Sequence, residues 1–208
     1  VHVPLLPGHG RTLAAFAASR ADDWIACAHD AFDALARTHA RVAVIGLSMG
    51  GALATLVAAR AGARCAALVL LAPYLTPTPG ARRVARTAAM GQALVPWFAP
   101  NPDPSQSIRD PEQLARNLGY GTASPLLVRE LVRVADAARA AAPSITVPVR
   151  LVHGRSDYDV PPALAATHPA LFAASPAVTH DWIDDTGHVL TADRQRARVF
   201  ALCAEFLS

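Results

Sequence analysis

The stretch Arg41-Val-Ala-Val-Ile-Gly-Leu-Ser-Met-Gly-Gly-Ala-Leu-Ala-Thr-Leu-Val-Ala-Ala-Arg60 decides the fold. It opens as an apolar run of strand length, stops at a Gly-x-Ser-x-Gly centred on Ser48, and passes at once into alanine- and leucine-rich helix-forming sequence. A serine held on so tight a strand-to-helix turn projects its hydroxyl above the sheet edge, with the positive end of the helix and its free N–H groups behind it. The glycines fit this geometry. Side chains at Gly46 and Gly50 are expected to collide with the adjacent strand and helix.

A bare Gly-x-Ser-x-Gly arises by chance in roughly one in twenty chains of this length, so its weight comes from context. A nucleophilic serine needs a base and a carboxylate that orients the base. Downstream, Val147-Pro-Val-Arg-Leu-Val152 reads as a strand and leads into His153-Gly-Arg-Ser-Asp157-Tyr-Asp-Val-Pro161. Val178-Thr-His-Asp-Trp-Ile183 reads as another and leads into Asp184-Asp-Thr-Gly-His188. The order serine, acid, histidine is therefore available at successive strand ends, with Asp157 and Asp159 both candidates for the acid. Apolar runs at residues 41–46, 66–71 and 147–152 alternate with alanine-rich helical stretches. Near-continuous hydrophobicity suits a parallel sheet covered on both faces, with active groups at the carboxyl ends of its strands.

Taken together, G-x-S-x-G, G-x-x-D-x-x-V-P and a late Gly-His resemble the α/β-hydrolase superfamily, and within it the bacterial carboxylesterase and monoacylglycerol lipase branch. Leu5-Leu-Pro-Gly-His-Gly10, Asp22-Asp-Trp24 and Thr186-Gly-His-Val-Leu-Thr-Ala-Asp193 add to the likeness, which runs the length of the chain. It implies an α/β-hydrolase core at residues 1–75 and 145–208, a mostly parallel sheet flanked by helices, and a small helical cap at residues 76–144. It assigns Ser48 as nucleophile, His188 as general base and then acid, and Asp157 as the orienting carboxylate, because Asp157 stands four residues before Pro161 in the family's register. The Met49 N–H would be one oxyanion donor.

The same resemblance sets expectations for the start of the chain. Val1-His-Val-Pro-Leu-Leu6 looks like the family's fourth strand, so strands one to three, and with them the loop that carries a second oxyanion donor, are expected to be missing. The segment should then pair directly with residues 41–46 or be poorly held. Loss of one oxyanion donor typically costs about a hundredfold to a thousandfold in turnover.

At 208 residues and 52% hydrophobic content, the chain can bury a sizeable core as a single domain with an insertion. All 19 basic residues are arginine and the net charge is +3. The arginines are scattered without a basic stripe, which argues against nucleic acid as a partner. Cys27, Cys65 and Cys203 lie far apart in apolar stretches and read as free thiols of a reducing compartment, so the cytoplasm is the expected location. No Cys/His spacing suits a metal site, and no cofactor is implied. The apolar region 52–73 is interrupted by Arg60 and Arg64 and is no membrane span.

Residues 76–144 break the strand–helix rhythm with the proline-rich patch Pro96-Trp-Phe-Ala-Pro-Asn-Pro-Asp-Pro104. As a lid, this stretch would line an acyl pocket, with Met90, Trp97 and Phe98 the candidate lining residues. His9 reads as a turn residue and His153 as a hydrogen-bonded structural group. The function expected is hydrolysis of short to medium acyl esters or monoacylglycerols. A thioesterase, lactonase or acyltransferase would use the same three residues, and a non-catalytic hydrolase remnant is the alternative from another class.

Overall fold

Three apolar runs and the mixed stretch 178–183 become parallel strands in the computed structural model, which describes residues 1–208. Strands β1 (Val42–Leu47), β2 (Cys65–Leu71), β3 (Val149–Gly154) and β4 (Val178–Ile183) lie side by side in chain order, each pairing with the next. Helices α1 (Leu13–Ala18) and α2 (Ala21–Ala36) precede the sheet, and α3 (Met49–Ala61) joins β1 to β2. Between β2 and β3 come α4 (Pro79–Arg86), α5 (Ala88–Leu94), α6 (Pro111–Ala115) and α7 (Pro125–Ala141). The short α8 (Pro162–Ala165) lies between β3 and β4, and α9 (Arg196–Leu207) closes the chain. This is the α/β-hydrolase architecture. No helix is long and apolar enough to cross a membrane.

Strand alternation divides the core in two. Leu68 and Leu70 of β2 and Leu151 of β3 turn to one face, where they meet Trp24 and Phe32 of α2, Leu53 and Val57 of α3, and Val134 and Ala138 of α7. Val69, Leu71, Val152 and Ile183 turn to the other, against Val199, Leu202 and Cys203 of α9. With both faces covered, most positions of β1 and β2 favour an apolar residue, which is why those strands read as continuous runs. Each large side chain so buried contributes about 1.5–3 kcal/mol. The alanines that crowd α3, Ala52, Ala54, Ala58 and Ala61, are all buried, and their small size lets this helix lie close to the sheet.

Within the stretch 76–144, α7 packs on the body. It packs along α3, it buries Leu127, Val134 and Ala138 in the main core, and Ala21 at the start of α2 donates its N–H to Glu130 on it at 3.2 Å. A parallel connection from β2 to β3 needs such a return helix. Ser124 caps it, its side chain accepting the Leu127 N–H at 3.2 Å, and Pro125 opens it, the residue types that start a helix. Of the two outcomes expected for residues 1–6, direct pairing with residues 41–46 is not the one seen, since they form no strand. Pro4 has no N–H to give a ladder, and the nearby chain is held instead by Trp24 Nε1–H donating to Pro7 O at 3.0 Å and Tyr120 O–H donating to Gly8 O at 3.2 Å. Strand β1 is therefore a sheet edge, with Ile45 half exposed and an apolar trough of about 240 Å³ beside it.

A histidine cluster lies where β3 and β4 meet α8. His153 and His180 share a hydrogen bond of 2.8 Å between Nδ1 and Nε2, and the His168 ring is 5.3 Å from that of His153. His153 Nε2 and both nitrogens of the fully buried His168 have no partner. Burial, with the neighbouring histidines adding, pushes His153 down to about 2; burial, His180 and Arg139 push His168 down to about 4. An unfolded histidine takes up a proton below about pH 6.5 while these do not, so stability is lost as pH falls from there towards 4. His168 alone accounts for about 3 kcal/mol of that loss at pH 4. Thermal melts from pH 7 to 4.5 are expected to show a falling Tm, and His168→Leu, which removes two unpaired nitrogens, to flatten the slope.

Candidate active site

The turn between β1 and α3 holds Ser48 at φ 55° and ψ −121°, a left-handed conformation that costs a non-glycine residue about 1–3 kcal/mol. Backbone bonds impose it. Ser48 N–H donates to Leu71 O at 2.9 Å, and Ser48 O accepts from Gly51 N–H at 2.9 Å and Tyr74 N–H at 3.0 Å. Strand and helix touch here. A Cβ on Gly46 would lie 2.1 Å from Gly50 O, and one on Gly51 would lie 2.7 Å from Pro73 Cβ. The expected collision at Gly50 is absent, because a Cβ there meets nothing within 4 Å. The second position that must be small is Gly51. Met49 is the first residue of α3, so its N–H has no acceptor within the helix and lies at the positive end of the helix dipole.

Asp157 lies on the loop after β3 and His188 on the loop after β4. The structure brings both to Ser48. His188 Nε2 is 2.7 Å from Ser48 Oγ, and His188 Nδ1 is 2.9 Å from Asp157 Oδ2. Donation of the Nδ1 proton to Asp157 leaves Nε2 free to accept from the serine hydroxyl. Asp157 is buried, and its other oxygen accepts Val160 N–H at 2.8 Å, which fixes the plane of the carboxylate. Asp159, the rival acid in the sequence, instead accepts from Ser107 Oγ at 2.5 Å. Burial by itself would push the His188 imidazole down. The hydrogen bond and charge of Asp157, with Asp159 adding, outweigh it and hold His188 above the usual histidine value.

Ser48, Asp157, Asp159 and His188 open into a cavity of about 830 Å³ whose walls include Tyr74, Val84, Phe98, Val128 and Leu131. Of the three proposed lining residues only Phe98 reaches it. Trp97 packs against the main core, and Met90 on α5 is 64% exposed to solvent. Phe98 is aimed inward by a pair of backbone bonds with Ala123. Tyr120 stacks on Phe16 at 5.0 Å, away from the cavity. His9 packs edge-on to Phe16 and Trp24 in its turn. Asp157, Asp159 and His188 are also the one group of three acidic or imidazole side chains with donor atoms close enough, within 4.8 Å, to hold a cation. Two of these three already satisfy each other by hydrogen bond.

Two residues of the site carried no assigned role in the sequence. Ser107 comes from the loop before α6 and reaches Asp159. Asp193, at the end of the Gly-His-Val-Leu-Thr-Ala-Asp run, is fully buried behind the His188 loop. Its only signal was an acid placed five residues after the histidine in a segment otherwise rich in apolar residues.

A family model described as serine aminopeptidase, S33, matches residues 6–195. No curated protein matches the chain. Among solved structures, one from a study of LipS and LipT, two metagenome-derived lipolytic enzymes, superposes with a TM-score of 0.75 at 24% identity over 98% of this chain and 79% of that one. The monoacylglycerol lipase of Paleococcus ferrophilus gives 0.72 at 20% identity over 91% and 75%. A thermostable carboxyl esterase of Bacillus coagulans gives 0.72 at 15% over 91% and 72%.

The contacts at the turn separate its glycines experimentally. Gly46→Ala is expected to cost roughly 3 kcal/mol in urea denaturation, because strand or helix must move. Gly50→Ala should be neutral or stabilising by up to about 1 kcal/mol, as alanine is the better helix former.

Proposed function

The chain belongs to the serine aminopeptidase S33 family, and from that premise we propose that it is a serine hydrolase cleaving carboxylic esters through an acyl-enzyme on Ser48. One observation carries the reading: Ser48 Oγ, the His188 ring and the Asp157 carboxylate form a continuous hydrogen-bonded chain at the floor of a largely apolar cavity. In the proposed reaction His188 Nε2 takes the serine proton as Oγ attacks the ester carbonyl, then returns it to the departing alkoxide. Water activated by the same imidazole releases the acid. Asp157 holds the Nδ1 tautomer and stabilises the imidazolium. The Met49 N–H stands behind Ser48 as a donor to the developing oxyanion.

Residues 76–124 are proposed as the cap, with Val84 and Phe98 supplying part of the acyl wall. The substrate is a small-molecule ester with a short to medium acyl chain or a monoacylglycerol, by analogy with the esterases and monoacylglycerol lipases among the structural neighbours. The reaction calls for no cofactor.

Hydrolysis of p-nitrophenyl butyrate, beside an aminoacyl p-nitroanilide, tests this directly. The expected result is ester turnover that Ser48→Ala abolishes, Asp157→Asn lowers by about 10⁴-fold, and a fluorophosphonate probe blocks by labelling the wild type alone. Turnover of the anilide but not the ester would move the reading to peptide bonds. Equal background from folded wild type and Ser48→Ala, with no labelling, would make the chain a non-catalytic relative.

The general base works as neutral imidazole, so kcat/KM should rise with pH through the His188 pKa. Since that pKa is held up by Asp157 and Asp159, the midpoint of the acid limb is expected above pH 6.5, the ordinary histidine value. A pH–rate profile with its midpoint below 6.5 would contradict this assignment of the base.

A further inference from the structure

The loop that carries His188 has little regular structure of its own. It leaves β4 at Ile183 and reaches α9 at Arg196 with only one 3-10 turn, Leu190–Ala192, between them. What fixes it is a buried carboxylate. Asp193 Oδ2 accepts the Gly187 N–H at 2.7 Å, immediately before His188 in the chain. Asp193 Oδ1 accepts the N–H groups of Arg109 at 3.1 Å, Asp110 at 3.0 Å and Arg194 at 2.8 Å. One side chain thus joins the histidine loop to a segment 84 residues earlier.

That segment grips the loop a second time. Ser107 O accepts the Val189 N–H at 2.9 Å, immediately after His188. The backbone N–H groups of the residues on either side of His188 are therefore tied down, Gly187 by Asp193 and Val189 by the strap that Asp193 itself holds. There is no slack between them, since a Cβ on Gly187 would lie 2.7 Å from the carbonyl oxygens of Gln106 and Ser107. The Asp193 side chain makes no bond to the first turn of α9; only its backbone carbonyl accepts from Arg196 N–H, at 3.1 Å. Capping α9 does not account for it.

We infer that Asp193 is the positioning residue for His188, fixing the histidine loop against the 107–110 strap so that Nε2 stays on Ser48 and Nδ1 on Asp157. The inference rests on the reading of Ser48 and His188 as nucleophile and base. A carboxylate is needed because four N–H donors converge on it and an Asn would turn an NH₂ towards one of them. Displacing a reacting group by about 1 Å costs on the order of a hundredfold in rate.

Asp193→Asn tests this with two readouts, beside Asp185→Asn as a control. Asp185 lies on the same loop and makes only exposed ion pairs with Arg109 and Arg194. The first readout is the low-field proton resonance of His188 Nδ1–H, identified by its absence in His188→Gln. The second is kcat and KM for the ester, per folded molecule. Asp193→Asn is expected to lose or broaden the resonance and to lower kcat by about a hundredfold with KM changed little, while Asp185→Asn keeps wild-type values. An unchanged resonance in folded Asp193→Asn overturns the inference, whatever the melting temperature does. Should that variant not fold, Asp193→Glu, which keeps both oxygens but displaces them, takes its place. If neither folds, Asp193 is a residue of the whole fold and the positioning role is wrong. The resonance needs no turnover, so a wild type that shows it but hydrolyses nothing sinks the esterase reading alone.

Discussion

The close approach of β1 and α3 at Gly46 is the constraint on which the rest depends. The missing side chain lets the carbonyl of Gly50 come within 2.1 Å of where a Cβ would stand, and that contact permits a strand to turn into a helix over the single residue Ser48. The cost appears as the left-handed backbone of Ser48, which three hydrogen bonds to Leu71, Gly51 and Tyr74 hold in place. Two of those partners, Leu71 and Tyr74, belong to β2 and the chain just after it, so the serine's position is secured by the parallel pairing of β1 with β2. The nucleophile candidate is thus set by the pairing of two strands, whereas its partners arrive on loops.

Burial pushes the molecule's buried histidines the same way, down, yet their net shifts differ in sign because their partners differ. His188 has a carboxylate on Nδ1 and a second within reach, so its charged form is favoured despite desolvation. His153 and His168 have no carboxylate partner, and desolvation, with the neighbouring histidines and, for His168, Arg139 adding to it, pushes both down. The first arrangement suits a group that gains and loses a proton during a reaction. The second keeps its rings neutral and makes the packing between β3, β4 and α8 sensitive to acid.

The strands, the turn at Ser48 and the loops bearing Asp157 and His188 were legible because each rests on short-range signals: continuous apolar runs, glycines at a close contact, and polar residues following a strand end. What was not legible depends on contacts between distant residues. The 76–144 stretch looked uniform, yet α7 is drawn into the body by its apolar face while Met90 on α5 is left in solvent. Periodicity marks a helix but not the surface it will cover. Gly50 and Gly51 are adjacent and chemically identical, and contacts from Pro73, beyond β2, and from Gly46 distinguish them. Val1 to Leu6 has strand-like composition, but Pro4 and the contacts made by Pro7 and Gly8 leave it outside the sheet.

The same reasoning bears on how the proposed cap relates to the chemistry. Only part of the segment 76–124 covers the cavity. Its 107–110 portion runs past the cavity to the back of the histidine loop, where it meets Asp193, and its Ser107 hydroxyl reaches forward to Asp159 beside the imidazole. A segment bonded on both sides of His188, to Val189 directly and to Gly187 through Asp193, cannot move as a free lid without disturbing His188. The stretch before Asn101 is tied to the body differently, through α4, where Arg82 makes two hydrogen bonds to Asp136 of α7. Between the two, Pro100, Pro102 and Pro104 restrict the backbone that leads into the 107–110 portion.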